Sequence, residues 1–354
     1  MSFLDLDLPE DTPDEPRGDG SGGTLGKTEI PMRETFSVYD SSKIQTFQDC
    51  PRRYFYNHIL GIRPDTPNIH LVFGSGWHDA MEYLLNHDYS ADSVQSAYER
   101  FMDSYNEAFP NEWLEPNHAA KNPGNALNAL AEYTQAWSED SFETLYTEVA
   151  GTAPINDEGD QIHWKVDSLI RDENGYWSME HKTTGRKSQK WADKWELITQ
   201  VGTYIHVLHC LFGHNEDPVQ GVKINGAILR KKGNEFLRLP QRRRGGMMNM
   251  WLWETNHWIK QIKWNMEQLA ECSPSDDVMV AFPRNPQSCT KFGCSFPDLC
   301  PQQCNPLQMG DRVPNGYKRE WWDPRDRGDQ VKHRAEEVKP GKENEIVPVS
   351  DDTE

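Results

Sequence analysis

Residues 166–184 read VDSLIRDENGYWSMEHKTT. Two runs of strand-forming residues flank a turn built on Glu173-Asn174-Gly175, and this pattern predicts a β-hairpin. Successive side chains of a strand point to opposite faces of the sheet, so Glu180 and Lys182 share one face. Asp167 lies in the neighbouring strand and can meet Glu180 across the pair.

Two carboxylates and one ammonium group in such a hairpin suit metal-assisted hydrolysis of a phosphodiester bond. Mg²⁺ and Mn²⁺ prefer hard oxygen ligands, and either ion polarises a phosphate and lowers the pKa of a bound water. The Lys182 ammonium can orient that water or stabilise charge in the transition state. Glu-x-Lys also occurs as a solvated stripe of charges on surface strands, so the interpretation depends on further residues.

Three further features of the sequence bear on whether Glu180-x-Lys182 belongs to a catalytic site or to a surface stripe of charges. Glu148, near the end of the preceding predicted strand, is either an additional carboxylate or a surface charge. His78, which follows Gly74-Ser75-Gly76 in a predicted helix, is either a packed side chain or a metal ligand. Gln200 and Tyr204 are four residues apart and share one helix face, which either contacts DNA or is half-buried.

The cysteines are concentrated near one end of the chain. Of seven in total, four fall in one segment rich in proline: Cys289, Cys294, Cys300 and Cys304. A segment with so little regular structure usually needs a metal or cluster to hold it. Zinc sites favour Cys-x2-Cys pairs, which are absent here, and spacings of four and five residues suit an iron–sulfur cluster at least as well. A set of reduced thiols without a ligand role is the alternative.

The composition predicts a globular body between two polar ends. Residues 1–35 read as a disordered acidic arm, residues 36–305 as one globular domain, and residues 306–354 as a disordered charged tail. The net charge of −19 argues against a protein that simply coats nucleic acid, although local basic clusters such as Arg242-Arg243-Arg244 could bind it. With no signal sequence and no long apolar run, we expect a soluble cytoplasmic protein without a membrane contact.

Hydrophobic periodicity predicts helices, then a three-stranded meander, a helix and further strands. The predicted helices cover residues 41–60, 77–85, 92–108, 125–140, 192–212 and 248–270. The predicted strands cover residues 145–149, 163–170, 176–182, 221–229 and 235–239. This order predicts an α/β fold with a mixed sheet.

These residues in this order resemble the PD-(D/E)XK nuclease superfamily. The resemblance is to its RecB-like, AddB-like exonuclease branch with an iron–sulfur cluster, which is similar to CRISPR-associated exonucleases and phage nucleases. It runs from Ser41 to Cys300 and includes Cys50-Pro51-Arg52-Arg53-Tyr54 and Gly74-Ser75-Gly76-Trp77-His78, which is similar to the family's Gly-x3-His helix. It implies a restriction-endonuclease-like core, with a mixed sheet flanked by helices and a C-terminal iron–sulfur loop.

The resemblance also implies a role for each candidate residue. The divalent metal ligands would be His78, Asp167, Glu180 and the backbone carbonyl of His181. Lys182 would be the catalytic lysine beside the catalytic carboxylates Asp167 and Glu180, and Gln200 and Tyr204 would position DNA. A [4Fe–4S] cluster would be held by Cys50, Cys289, Cys294 and Cys300. Cys304 is an alternative ligand, because the family's first gap is commonly two residues rather than four.

The function implied is a metal-dependent DNA exonuclease that acts on single strands or DNA ends. Its context would be recombination, repair or degradation of DNA, encoded by a phage or mobile element and acting in the cytoplasm of a bacterium or infected host. The sequence lacks a Walker motif, so any unwinding would come from a helicase or recombination partner. The alternatives are a catalytically idle, nuclease-fold DNA-binding scaffold held together by the cluster, and a zinc-stabilised interaction protein.

Overall fold

A computed structural model describes residues 23–111, 118–289, 294–325 and 330–349. The chain forms two compact units, and each is built from two separate stretches of sequence. The first unit comprises Met1–Thr66 and Leu252–Asp326, and the second comprises Pro67–Trp251 and Arg327–Glu354.

The predicted helices and strands occur in the predicted order, together with short elements that were not predicted. The helices are α1 (Ser41–Asp49), α2 (Pro51–Tyr54), α3 (Ile69–Asn86), α4 (Ala91–Ala108), α5 (Pro123–Ala136), α6 (Gln189–Leu197), α7 (Thr199–Phe212), α8 (Gly245–Ala270) and α9 (Pro286–Cys289). The strands are β1 (Tyr39–Asp40), β2 (Ile62–Pro64), β3 (Glu143–Pro154), β4 (Gln161–Asp172), β5 (Gly175–Thr184), β6 (Val219–Ile228), β7 (Glu235–Gln241), β8 (Tyr317–Arg319), β9 (His333–Glu337) and β10 (Val347–Pro348). A π-helical segment, Phe55–Ile59, follows α2 directly.

The second unit is built on a mixed sheet with the strand order β10-β9-β3-β4-β5-β6-β7. The pairs β9–β3 and β5–β6 are parallel, and the other neighbours in this order are antiparallel. Helices α6 and α7 form the crossover that the parallel pair β5–β6 requires. The predicted α/β fold with a mixed sheet flanked by helices is therefore confirmed.

Helix α3 begins earlier than predicted. The Asn68 side chain accepts a hydrogen bond from the backbone N–H of His70 at 2.9 Å and caps the helix there. The prediction had placed the start after Gly74-Ser75-Gly76, but both glycines lie inside α3. Gly76 is needed because a Cβ at this position would lie 2.9 Å from the Phe101 carbonyl oxygen of α4, whereas Gly74 faces open space.

A buried cluster fixes α3 against the sheet. Its large members lie on α3, α4 and α5, and Ala227 of β6 packs with them: Phe73, Trp77, Phe101, Tyr105, Leu130 and Tyr133. Burial of large aromatic side chains contributes roughly 1.5–3 kcal/mol each, so this cluster is a major source of stability for the unit. It also fixes the position of His78, the residue that follows Trp77.

The predicted helix over residues 192–212 is divided in two. Ile198, between α6 and α7, has an extended conformation with φ −62° and ψ 140°. The break changes the chain direction immediately before Gln200. Periodicity could not reveal it, because the apolar pattern continues on both sides of Ile198.

In the first unit, the two stretches of chain are joined by side-chain contacts. Arg52 donates hydrogen bonds to the carbonyl oxygens of Phe282 and Met279, at 2.9 and 3.2 Å. The rings of Phe282 and Tyr54 stack with their centroids 5.8 Å apart. Strands β2 and β8 pair antiparallel and connect the same two stretches.

The two ends of the chain are partly included in these units. Of the predicted arm 1–35, residues 1–22 lie outside the described residues, and the remainder buries Leu25 and Ile30. Residues 306–354 were expected to lack a core, yet their described part contains β8, β9 and β10 and buries Leu307 and Ala335. The difference arises because β9 gains its hydrogen bonds from β3, a partner distant in sequence.

No helix in the part of the chain that the structure describes combines the length and the apolar character needed to cross a bilayer.

Candidate active site

The β4–β5 hairpin brings Asp167 and Glu180 together. Its register pairs Ser168 with Met179, and continuing it by one residue places Asp167 opposite Glu180. The hairpin closes as predicted at a turn in which Asp172 accepts a hydrogen bond from the N–H of Asn174 at 2.8 Å. Both site carboxylates are buried, Asp167 with 7% and Glu180 with 2% of its surface exposed.

His78 reaches this pair of carboxylates from α3. Its Nδ1 lies 3.4 Å from Asp167 Oδ1, and its Nε2 lies 2.8 Å from the carbonyl oxygen of His181. Asp167 Oδ2 accepts a hydrogen bond from the backbone N–H of His181 at 2.7 Å. The His78 imidazole therefore lies between the Asp167 carboxylate on one ring nitrogen and the His181 carbonyl on the other.

The charges of this group are strongly coupled. Burial disfavours the charged form of His78, but the Asp167 carboxylate outweighs burial and raises the pKa of His78 to about 9. Burial also opposes ionisation of Asp167, yet the His78 imidazolium holds the pKa of Asp167 well below its usual range. In the absence of a metal ion the two side chains therefore form an ion pair at neutral pH, with Asp167 buried and His78 partly exposed.

In the described part of the chain, Glu180 accepts hydrogen bonds through only one of its two carboxylate oxygens. Its Oε1 accepts hydrogen bonds from the Lys182 ammonium and from Gln200 Nε2, the latter at 2.9 Å. Its Oε2 is buried and has no hydrogen-bond partner among the described residues. Burial, and then the charge of Asp167, raise the pKa of Glu180. A buried carboxylate oxygen without a partner is costly unless something else binds it.

Lys182 is held on the same face as Glu180, as the strand alternation predicted. Burial lowers the pKa of Lys182, but Glu180 and then Asp167 outweigh this effect and the pKa is raised overall. The ammonium also lies 5.9 Å from the ring centroid of Trp195 in α6. Lys182 is therefore a stably charged group beside the carboxylates.

Gln200 and Tyr204 connect α7 to the same site. Gln200 Nε2 lies 2.8 Å from Tyr204 Oη, which donates to the carbonyl oxygen of Lys165 in β4 at 2.6 Å. The predicted shared face is thus real, and its polar groups bond to Glu180 and to the sheet. Tyr204 is buried.

Glu148 is a buried residue of the site region rather than a surface charge. It forms an ion pair with Lys165, and it adopts φ +50°, a left-handed conformation that is unusual for a residue with a side chain. Burial raises the pKa of Glu148 to about 7, and Asp167 adds to the rise while Lys165 opposes it. No local pattern predicts the role of Lys165, because a lysine in a strand is usually exposed.

A chain of hydrogen bonds that the sequence did not predict holds the His181 ring in place. Asn225 Nδ2 lies 2.9 Å from His181 Nδ1, and Arg238 Nε donates to Asn225 Oδ1 at 3.3 Å. Arg238 is in turn held by Asp140 through two hydrogen bonds. Burial lowers the pKa of His181 to about 3, so the ring is neutral. These residues are far apart in sequence, and no local pattern marks them.

The cysteines predicted to bind a cluster line one cavity in the first unit. This cavity has a volume of about 280 Å³, and its lining includes Cys50, Cys289, Cys294 and Cys300. Arg53 and Arg284 add positive charge to the wall, and Tyr56 and Phe296 add aromatic rings. Cys304 is exposed and does not line this cavity.

Among the described residues, neither the hairpin site nor the cysteine cavity forms a complete metal centre by its side chains alone. Within the described residues, no group of three or more His, Cys, Asp and Glu side chains is arranged to hold a metal ion. At the hairpin, the chemistry of the donors nevertheless fits a divalent ion, because a carbonyl oxygen, an imidazole and carboxylate oxygens converge there. The partnerless Glu180 Oε2 is one such donor.

Comparison with protein-family models matches residues 40–301 to the PD-(D/E)XK nuclease superfamily. The chain belongs to this superfamily. PD-(D/E)XK proteins are generally nucleases that use divalent metals such as Mg²⁺, and their substrate is DNA. A search of curated proteins finds no match. Among solved structures, the crystal structure of SSO0001 is 13% identical, with 67% of this chain and 84% of that chain covered and a TM-score of 0.29.

Proposed function

We propose that this PD-(D/E)XK protein is a metal-dependent DNA exonuclease of the RecB-like, AddB-like branch. The observation that carries the proposal is the convergence of His78, Asp167 and the His181 carbonyl beside a buried Glu180 oxygen that has no partner. Lys182, charged and adjacent, completes the set.

His78, Asp167, Glu180 and the His181 carbonyl would hold the divalent ion. When bound, Mg²⁺ or Mn²⁺ supplies a Lewis acid for the phosphate and a more acidic water. Lys182 places a positive charge next to the phosphate and stabilises negative charge that develops there. Gln200 and Tyr204 fix Glu180 Oε1 through their hydrogen bonds, and we propose that the same helix end positions DNA.

We further propose that the first unit holds a [4Fe–4S] cluster. The support is that Cys50, Cys289, Cys294 and Cys300 line one cavity although the first lies far from the others in sequence. Burial raises the pKa of the Cys300 thiol, and the Arg284 guanidinium in the wall opposes that rise and favours the thiolate form that binds iron. On this proposal, residues 36–305 form a nuclease domain with an iron–sulfur loop.

The proposed context is recombination, repair or degradation of phage or mobile-element DNA in a bacterial or infected cytoplasm. A helicase or recombination partner would supply DNA ends. The support is the family match, which implies a DNA substrate.

Cleavage of end-labelled linear and circular single-stranded DNA tests the nuclease proposal. We expect the wild type to degrade linear DNA with Mg²⁺ or Mn²⁺, to spare circular DNA, and to be inactive in EDTA. Lys182→Ala and Glu180→Gln should each reduce the rate by at least about 100-fold, because each removes a charged group at the reacting phosphate. Lys187→Ala, which removes an exposed lysine paired with Glu235, is the matched control and should stay within about twofold of wild type.

Equal cleavage by wild type, Lys182→Ala and Glu180→Gln would overturn the assignment of the site. Cleavage of circular DNA, which has no ends, would show that the protein is an endonuclease rather than an exonuclease. DNA binding without any cleavage would favour the idle scaffold.

Iron content and absorbance near about 400 nm after anaerobic purification test the cluster. Cys289→Ser should lose iron and solubility together, since cluster binding and folding are coupled. Cys304→Ser is the matched control and should keep the iron of the wild type. Loss of iron in Cys304→Ser with retention in Cys289→Ser would exchange their roles, and full stability of an iron-free wild type would refute the cluster.

A further inference from the structure

A second lysine lies close to the candidate active site and has no role in the site described so far. Lys194 belongs to α6, which begins where the Ser188 side chain accepts a hydrogen bond from the N–H of Trp191 at 3.2 Å. Its ammonium lies 4.1 Å from the ring centroid of Trp195, a buried residue. The same ring lies 5.9 Å from the ammonium of Lys182.

The shared ring brings two positive charges near each other. The two ammonium groups are at most about 10 Å apart, which is close to the Debye length at about 0.1 M ionic strength, so neither is fully screened from the other. Burial against the ring, and then repulsion from Lys182, lower the pKa of Lys194. Repulsion of this kind is unfavourable unless an anion lies between the charges.

The two lysines differ in their partners. Lys182 forms an ion pair with Glu180, so part of its charge is already compensated. Lys194 forms no ion pair with a carboxylate in the described part of the chain, although Asp193 and Glu196 lie on the same helix. The Trp195 ring holds the Lys194 ammonium by a cation–π contact, which orients the charge without neutralising it.

We propose that Lys194 binds a DNA phosphate next to the one that is cleaved. This inference rests on the proposed nuclease function and adds a substrate-binding residue to it. Successive phosphates of one strand are displaced by about 3.4 Å along the helix axis. A strand whose reacting phosphate lies at Lys182 therefore carries further phosphates within reach of Lys194. The Lys194 residue is exposed and its ammonium is pre-oriented on Trp195, so little side-chain freedom is lost when it binds.

Lys190 provides a matched control on the same helix. It is exposed, carries the same charge, and lies one turn before Lys194. Among the described residues its ammonium makes no cation–π contact. Removal of either lysine changes the net charge equally, so a difference between the two variants reports a positioned contact rather than the general field.

The test is binding of a labelled 12-nucleotide single strand in EDTA, measured by fluorescence anisotropy over a range of KCl concentrations. Lys194→Ala should weaken binding about fivefold and reduce the slope of log K against log salt by about 0.7, the value for one phosphate contact on a single strand. Lys190→Ala should leave the slope unchanged, and Lys194→Arg should restore it. In turnover with Mg²⁺, Lys194→Ala should raise KM about fivefold and change kcat by less than about twofold.

Binding and slope of Lys194→Ala equal to those of the wild type would overturn the inference, and so would an equal loss in Lys190→Ala. A fall in kcat at unchanged KM would also overturn it, because the residue would then act on the chemical step. If the wild type cleaves no DNA, the nuclease proposal fails. If the wild type cleaves and Lys194→Ala binds like it, this inference alone fails.

Discussion

At the scale of single residues, His78 is the group whose state depends most on its surroundings. Without a metal ion its ring is an imidazolium paired with Asp167, and its Nε2–H donates to the His181 carbonyl. A metal ligand must instead be a neutral imidazole. If His78 holds the ion as proposed, the proton and the metal ion compete for it.

This competition predicts the pH dependence of metal binding. Because the pKa of His78 is raised to about 9, the ring is protonated at pH 7 and must lose about one proton when the ion binds. We expect the affinity for Mn²⁺ to fall about tenfold for each pH unit below 9. Calorimetric titration in buffers of different ionisation enthalpy measures both the affinity and the proton released.

The control for this prediction is His78→Ala. It should bind Mn²⁺ more weakly at pH 9 and show a much flatter pH profile. A wild-type affinity that does not change between pH 6.5 and 9 would contradict a role of His78 as a ligand.

The site residues that could be predicted from sequence follow from strand and helix periodicity. Glu180 and Lys182 share a face because strands alternate, and Gln200 and Tyr204 share a face because helices turn every 3.6 residues. The ion pair of Lys165 with Glu148 and the contact of Asn225 with His181 could not be predicted. Lys165 and Asn225 make hydrogen bonds or ion pairs with residues far away in sequence, and both are residue types that are usually exposed.

At the scale of elements, the position of α7 depends on Gly202, because a residue without a side chain allows close packing there. A Cβ on Gly202 would lie 2.2 Å from Trp251 Cδ1 and 2.5 Å from Arg243 Nη1. Trp251 donates a hydrogen bond to the carbonyl oxygen of Thr199, the first residue of this helix, and Arg243 donates one to the carbonyl oxygen of Ile198, the residue before it. The close approach therefore fixes the turn that presents Gln200.

Gly202→Ala should displace Trp251 and shift this turn. We expect a loss of about 1–3 kcal/mol in the free energy of unfolding, the usual cost of overpacking, together with a lower cleavage rate. Denaturant unfolding followed by tryptophan fluorescence measures the first effect.

Gly74→Ala in α3 is the comparison, because a Cβ there meets nothing within 4 Å. It should be neutral or stabilise the protein by up to about 1 kcal/mol through helix propensity. Equal destabilisation by both substitutions would refute the packing argument.

The strands differ in how far the sequence predicts them. The β3–β4–β5 meander has alternating apolar residues and turn residues between its strands, so local patterns are sufficient. Strand β9 is short and has one apolar residue, Ala335, between charged ones. Its pairing with β3 comes from backbone hydrogen bonds to a distant strand, which no local pattern records.

At the scale of the whole molecule, the proposed catalytic residues all belong to the second unit and the four cavity cysteines to the first. In the first unit, Cys50 comes from one stretch of chain and the other three from the second stretch. A cluster there would close a long loop, which is where a cross-link removes the most freedom from the unfolded chain.

Truncation after Asp326 should destabilise the second unit. It removes the hydrogen bonds from Lys332 N–H to the Glu148 carbonyl and from Val338 N–H to the Thr152 carbonyl, both 2.9 Å. Strand β3 then becomes an open sheet edge. We expect a lower melting temperature by circular dichroism and aggregation by light scattering.

Truncation after Pro340 keeps β9 and serves as the control, which should melt within a few degrees of the full chain. A protein ending at Asp326 that melts like the full chain and remains monodisperse would show that β9 contributes little.

The late position of β9 in the chain has a consequence for synthesis on the ribosome. All the proposed catalytic residues are translated before β9, and the whole of Leu252–Asp326 is made in between. At roughly 5–20 residues per second, the nascent sheet waits several seconds with its β3 edge unpaired. Newly made chains therefore pass through a stage that is vulnerable to chaperone capture or misassembly, and completion of the sheet waits for the part of the message that encodes β9.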